Sequence, residues 1–378
     1  MSEPGTRPAL DTSGGQLVVV KIGTSSLTDA RGVIQTATIE KLCDEVAVLR
    51  ARGDKVVVVT SGAIAAGLPL LGMGEARPTD MAVLQAVAAV GQAHLVGFYN
   101  AALAARGLVA GQALLSPGDF VSRQQYLHAR QTLRILLELG VVPVVNENDA
   151  IADDEIRFGD NDRLAALVSH LIRADVLVIL TDTPGLLTAD PRLDGTASLI
   201  EEVEALDRDL EGIAGGAGSD RGSGGMASKL AAARMAAWSG VRTVIAAATR
   251  PDVLADAVDG VAGVGTTFVA RDSRLPARKL WIAFAVGASG VVKVDAGARD
   301  AILGKGGSLL HAGVREVVGD FAAGDAVEVA GPDGVAFAKG LVRRPAWQVR
   351  NFKGMRSAAL PADVPAEVLH RDDMVILW

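Results

Sequence analysis

Two lysines stand where a chain would present them to an anion. Lys21 closes the apolar run LVVVKI and runs into Gly-Thr-Ser-Ser, so a positive charge, exposed amides and hydroxyls meet in one turn suited to phosphate oxygens. Lys229 closes Gly222-Ser-Gly-Gly-Met-Ala-Ser-Lys229, a Gly-rich loop entering a helix that the pattern starts near Met226. A cation in the first turn of a helix opposes the macrodipole, and an anion held nearby resolves that conflict. The plainer alternatives are an ordinary strand-to-helix turn with a solvated lysine and a surface loop.

Between the lysines lie two polar clusters, Asn146-Glu-Asn-Asp149 and Phe158-Gly-Asp-Asn-Asp162. The first ends an apolar run and the second opens RLAALVSHLI. Asp160, Asn161 and Asp162 suit helix capping, yet the two clusters together offer convergent groups to an amino acid or a metal. Ser61, in Thr60-Ser-Gly-Ala63, reads as a helix cap or a ligand contact, with Gly62 allowing close backbone approach. Thr181-Asp182 ends a further apolar run. Ligands of open parallel sheets bind outside the carboxyl ends of the strands, where several of these segments fall.

Common nucleotide signatures are missing. There is no GxxxxGK[ST] loop, and the HRD and DFG elements of protein kinases are absent. Gly222-Ser-Gly-Gly-Met-Ala227 fits the loose form GxGxxA, but it follows a Gly-rich stretch where the dinucleotide fingerprint needs a strand.

The elements that must position these residues follow from the apolar pattern. Runs at 17–22, 55–60, 108–115, 141–145, 175–180 and 242–248 are continuously apolar, as expected for strands buried on both faces of a parallel sheet. Ala/Leu-rich segments such as 79–106 and 123–139 lack internal proline and read as helices. The repetition predicts a three-layer α/β/α sandwich with a mainly parallel sheet. After about residue 277 the pattern changes to short strand-like runs punctuated by glycine, which predicts a small β-rich domain. The expected division is a flexible arm over 1–15, a first domain over 16–276, a linker over 277–287 and a second domain with the tail over 288–378.

The whole chain has 378 residues, 49% of them hydrophobic, which excludes intrinsic disorder. Its net charge of −7 argues against nucleic-acid binding through bulk charge. A local basic cluster, Arg343, Arg344, Arg350, Lys353 and Arg356, reads as a solvated face or an oligomer contact. The single cysteine, Cys43, leaves no partner for an internal disulfide or a cysteine-based zinc site and suits a reducing cytoplasm. The opening residues carry no secretory h-region, and no segment is expected to reach the ~18 uncharged apolar residues needed to cross a bilayer.

Taken in order, KIGTSSL, TSGAIAAG, NENDA, FGDND, TDTPGLLTADPR, GSGGMASK and ARKLWIAF resemble the amino acid kinase family, and within it the branch that phosphorylates glutamate. The glycine-punctuated end resembles a PUA domain through GVVKVDAGARDAI, KGGSLL and GDAVEV followed by GLV. The resemblance implies ATP-dependent phosphorylation of the side-chain carboxylate of L-glutamate, with Mg²⁺, as the first step towards proline. Lys21 and Lys229 would then contact the transferring phosphoryl group, with Asp162 organising them. Ser61, Gly62, Asp149 and Asn161 would bind glutamate. Lys21, Thr181, Asp182, Ser223, Gly224, Gly225, Met226, Ala227, Ser228 and Lys229 would hold ATP, and no residue is assigned as a direct metal ligand. The same resemblance implies proline as feedback inhibitor, a homo-oligomer (dimer or tetramer) and a glutamyl phosphate reductase downstream. Rival readings are a relative acting on aspartate, acetylglutamate, carbamate or UMP, and an RNA-binding protein acting through the second domain.

The chemistry of the residues agrees with that implication. A glutamate carboxylate with a pKa of ~4.3 is already an anion at neutral pH, so no general base is needed. What transfer needs is positioning and neutralisation of charge. The histidines, including His94, His128 and His170, are expected to be packing or surface residues.

Overall fold

The computed structural model describes residues 15–29, 33–73, 78–120, 122–151, 161–190, 194–204, 225–272, 274–361 and 364–377. Residues 1–14 of the expected arm lie outside these. The chain divides into two compact units, the first ending at Arg274 and the second opening at Leu275.

The first unit is built on valine-rich strands. β1 (Leu17–Ile22), β2 (Lys55–Val59), β3 (Ala110–Leu115), β4 (Val142–Glu147), β5 (Val176–Thr181), β6 (Glu202–Val203), β7 (Arg242–Ala247) and β8 (Thr266–Phe268) form one sheet in the order β3-β4-β2-β1-β5-β7-β8-β6. Every neighbouring pair from β3 to β7 is parallel, and β8 runs antiparallel to β7. The centre is apolar on both faces, as its unbroken sequence runs require. Only β3, at the sheet edge, alternates between exposed and half-buried residues.

The helices of this unit are α1 (Thr24–Leu27), α2 (Thr36–Ala51), α3 (Ala63–Leu70), α4 (Met81–Ala104), α5 (Arg123–Glu138), α6 (Asn161–Ile172), α7 (Met226–Trp238) and α8 (Val253–Asp259). Val18, Val20, Val56 and Val58 share a buried cluster with Leu42 and Val46 of α2, Leu95 and Tyr99 of α4 and Leu254 of α8. Successive strand residues point to opposite faces, so the equally buried Val19, Val57 and Val59 face the other layer. There α6 packs on α7 and on β1, β4 and β5.

One expectation about membranes needs correcting. α4 has 24 residues, none charged, and is long and apolar enough to span a bilayer by length and composition. It is a helix of the domain, capped by Asp80, whose carboxylate accepts from the Val83 amide at 3.0 Å. Its stripe through Leu84, Val87, Gly91, Leu95 and Leu103 is buried within the unit. Gly91 and Gly67 bring α4 and α3 into backbone contact: a Cβ on Gly91 would lie 1.8 Å from the Ala63 carbonyl oxygen.

The second unit has its own sheet. β9 (Gly290–Val294), β10 (Leu309–Leu310), β11 (Val314–Gly319), β12 (Ala326–Ala330), β13 (Ala336–Val342) and β14 (Glu367–Ile376) are ordered β10-β14-β13-β12-β9-β11. Val292, Val327, Val329, Phe337 and Val368 fill its core. The segment expected as a linker is helical, with α9 (Ala277–Leu280) followed by a π-helical turn over Trp281–Ala285. The sequence reading also passed over α10 (Ala296–Lys305), capped by Asp295 and ended by Gly306 at φ +59°. A short helix, α11 (Ala346–Phe352), completes the unit.

Candidate active site

Four adjacent strands, β4, β2, β1 and β5, deliver polar residues at their carboxyl ends: Asn146 and Glu147, then Thr60 and Ser61, then Lys21, then Thr181 and Asp182. The register sets Lys21 opposite Val59 on one side and Ile179 on the other. An all-parallel centre therefore collects at one edge residues far apart in sequence.

Lys21 and Lys229 converge on one carboxylate. Lys21 Nζ lies 2.6 Å from Asp162 Oδ1, and Lys229 Nζ lies 3.2 Å from Oδ2 of the same group. Ser228 Oγ donates to Asp162 Oδ2 at 2.8 Å. All three charged groups are buried, at 5%, 7% and 1% exposure for Lys21, Lys229 and Asp162. Burial alone would push the Asp162 carboxyl up, but Lys21 and Lys229, with hydrogen bonds from Lys21 and Ser228, outweigh it and hold the carboxyl below the usual carboxylate range. Two ammonium groups around one carboxylate suit a site that receives further negative charge.

Lys229 reaches this cluster from the first turn of α7, and no side chain caps that helix at Gly225. Its first amides face outward with the positive end of the macrodipole. The conflict read from the sequence is thus met in part by Asp162, which lies beside the lysine from another helix.

Asn161 precedes Asp162 and turns to a second network. Its Nδ2 lies 2.9 Å from the Thr60 carbonyl oxygen, 3.0 Å from Ser61 Oγ and 2.9 Å from Asn146 Oδ1. Asn146 Nδ2 in turn donates to Gln92 Oε1 at 2.6 Å. At the far end of this chain opens a cleft of about 280 Å³, lined by Ala63, Ala88, Gln92, Gln112, Glu147 and Asp149 among others. Gly62 begins α3 at φ +98°, a conformation that favours glycine.

The structure thus brings Lys21, Lys229, Asp162 and Ser228 together, joins Asn161 to Ser61, and places Asp149 on the cleft. Thr181 Oγ1 donates to Asp182 Oδ1 at 3.0 Å at the end of β5. Gly225, Met226 and Ala227 form the cap and first turn of α7. Ser223 and Gly224, like Phe158 to Asp160, lie outside the described residues. Among the described residues, no three His, Cys, Asp or Glu side chains converge as a metal site. His170 is pushed down to about 4 by burial and by Arg274, Arg173 and Arg130, so it is neutral at pH 7.

Sequence reasoning did not single out Gln92, Gln112 or the bridging role of Asn146. The available signal was a glutamine inside AAVGQAHLVGF on the buried stripe of α4, four residues after Ala88 and three before Leu95.

A model of the amino acid kinase family matches residues 16–247, and a PUA domain model matches residues 290–362. A glutamate 5-kinase of Burkholderia multivorans is 44% identical over 364 residues, covering 95% of this chain and 97% of its own. A glutamate 5-kinase of Rhodococcus jostii is 45% identical over 372 residues, covering 98% and 99%. Among solved structures, carbamate kinase from Giardia lamblia bound to AMP-PNP superposes with TM-score 0.50 at 19% identity, over 68% of this chain and 99% of that one, and shares the fold. With its three-layer domain and its β-rich PUA domain, the chain belongs to the amino acid kinase family.

Proposed function

We propose that the chain transfers the γ-phosphoryl group of ATP to the side-chain carboxylate of L-glutamate, giving γ-glutamyl phosphate, the first step towards proline. The observation that carries this reading is the convergence of Lys21 and Lys229 on buried Asp162, which the hydrogen bonds of Asn161 and Asn146 link to a cleft holding Asp149. Relatives named for this activity match nearly the whole chain.

In this reading the acceptor carboxylate attacks as it stands, because it is ionised at neutral pH. The obstacle is repulsion between two anions. Lys21 and Lys229 answer it from fixed positions, and their shared contact with Asp162 holds both ammonium groups in place without a rearrangement at the moment of transfer. The amides at the start of α7, with Thr181 and Asp182 at the end of β5, hold the nucleotide. Ser61, Gly62 and Asn161 hold the acceptor next to the lysines, and Asp149 pairs with its α-ammonium. Mg²⁺ would ride on the phosphate oxygens, as it commonly does, and neutralise part of their charge.

Proline inhibition, assembly into a homo-oligomer and hand-over to a glutamyl phosphate reductase belong to the same proposal. So does a reducing cytoplasmic setting, which suits the free, buried thiol of Cys43. Within the second unit, Arg343 pairs with Glu367 at 3.0 Å and Arg350 donates to the Gly319 carbonyl, engagements that favour the non-RNA reading of the basic cluster.

The test is turnover with L-glutamate, ATP, Mg²⁺ and hydroxylamine, which traps an acyl phosphate as the hydroxamate. Glutamate-dependent hydroxamate is the expected result. A signal with L-aspartate alone would change the substrate, and no signal with any acid would overturn the reading.

A further inference from the structure

The amide chain between the cleft and the lysines has loose ends. Gln92 is 8% exposed, and its Oε1 accepts from Asn146 Nδ2. Asn146 Oδ1 accepts from Asn161 Nδ2 and from the Glu147 amide at 2.9 Å. These bonds fix which end of each amide points where. Among the described residues they leave Gln92 Nε2 buried without a hydrogen-bond partner, in a side chain that lines the cleft. A buried donor with no acceptor is destabilising, and a ligand oxygen relieves it.

The charges around the cleft say what kind of oxygen. Its described lining includes Glu147 and Asp149 but no Lys, Arg or His. An amino-acid ligand brings its α-ammonium and α-carboxylate on one carbon, so both enter the same space. The two acidic side chains suit the ammonium, and among the described lining residues the donors left for the carboxylate are neutral. Gln92 stands two amides away from Asn161, whose neighbour Asp162 holds the lysines. A group bound at Gln92 is therefore at the end of the acceptor remote from the transfer. Ala88 and Ala89, one helical turn before Gln92, leave room beside its amide.

We propose that Gln92 is a substrate-binding residue whose Nε2 donates to the α-carboxylate of the acceptor, making the site selective for a free α-carboxylate. The proposal rests on the reading above that the acceptor is an amino acid.

The test compares L-glutamate with its α-amide, which keeps the side-chain carboxylate and replaces the α-carboxylate by a carboxamide. Gln92→Glu retains the acceptor for Asn146, removes the donor and adds a charge that repels a carboxylate and accepts from an amide. Its KM for L-glutamate is expected to rise ~100-fold at unchanged KM for ATP, and its preference between the two substrates to move at least ~100-fold towards the α-amide. An unchanged preference overturns the proposal. Should that variant fail to fold by circular dichroism, Gln92→Met, which keeps the length without the donor, should raise KM for L-glutamate ~10-fold and that for the α-amide, whose uncharged oxygen accepts a weaker bond, by less. Equal rises for both substrates overturn the proposal. If the wild-type chain forms no hydroxamate, the activity reading fails separately. Calorimetric titration of L-glutamate into wild type and variant then decides, with equal Kd values overturning the role of Gln92.

Discussion

Asn161 and Asp162 are neighbours in the first turn of α6 and serve two different networks. The amide of Asn161 bonds to Ser61 and Asn146, while the carboxylate of Asp162 bonds to Lys21, Lys229 and Ser228. One helix start thus ties the acceptor side of the site to the phosphoryl side. A change at one residue should leave the other's role measurable.

Lys21→Ala and Lys229→Ala should each lower kcat by about 10²–10³ or more, the cost typical of losing one pre-positioned stabiliser of transition-state charge. Circular dichroism should remain native. Steady-state kinetics of both purified variants is the measurement, and near-normal turnover in both would remove the lysine pair from the mechanism.

Asp162→Asn should destabilise the fold by roughly 3–5 kcal/mol near neutral pH, because two buried ammonium groups lose their shared counter-charge. The pH dependence has a definite sign. The folded carboxyl lies below its ordinary value, so its contribution is complete above the unfolded pKa of ~3.9 and is lost as pH falls through the folded value. Urea midpoints of wild type and variant should therefore differ most at pH 6–7 and converge in acid, where the protonated carboxyl has the charge of the amide. A constant difference down to pH 3 would contradict the ion-pair account.

Asp149→Asn should raise KM for L-glutamate by about 10–100-fold, with KM for ATP little changed, since an ammonium–carboxylate contact is lost on the acceptor side alone. Parallel changes in both constants would place Asp149 elsewhere in the mechanism.

Much of this arrangement is legible in the sequence because it is local. The valine runs, the Gly-rich entry to α7 and the polar residues after each strand all act within a few positions. What escapes is long-range. Gln92 reaches Asn146 across 54 positions and Asn146 reaches Asn161 across 15, contacts that only the strand order creates. The helix α10 escaped for another reason: its sequence, AGARDAILGK, is glycine-flanked and short, and resembles the turns around it. β6 and β8 are two and three residues long, too short to show a period.

Gly91→Ala should destabilise the chain by at least ~1–3 kcal/mol, since the new Cβ meets the Ala63 carbonyl oxygen and the Gly67 amide. Gly97→Ala, on the same helix with nothing within 4 Å of the added Cβ, should instead stabilise by about 0.5–1 kcal/mol. Thermal melts of the two variants make the comparison, and equal shifts would show that helix propensity rather than the α3–α4 contact decides.

The contact between α3 and α4 also bears on how such a site could change its clientele. Ala63 of α3 and Ala88, Gln92 and Ala93 of α4 form one side of the cleft, and behind them the backbones already touch, with no side chain left to trim. Beyond the space beside Gln92, that side cannot recede for a longer acceptor, because α3 and α4 are already in backbone contact. Directed evolution towards bulkier amino acids should therefore collect its substitutions at the β3 residues Gln112 and Leu114 and at the turn at residues 148–150, and leave the glycine seam intact.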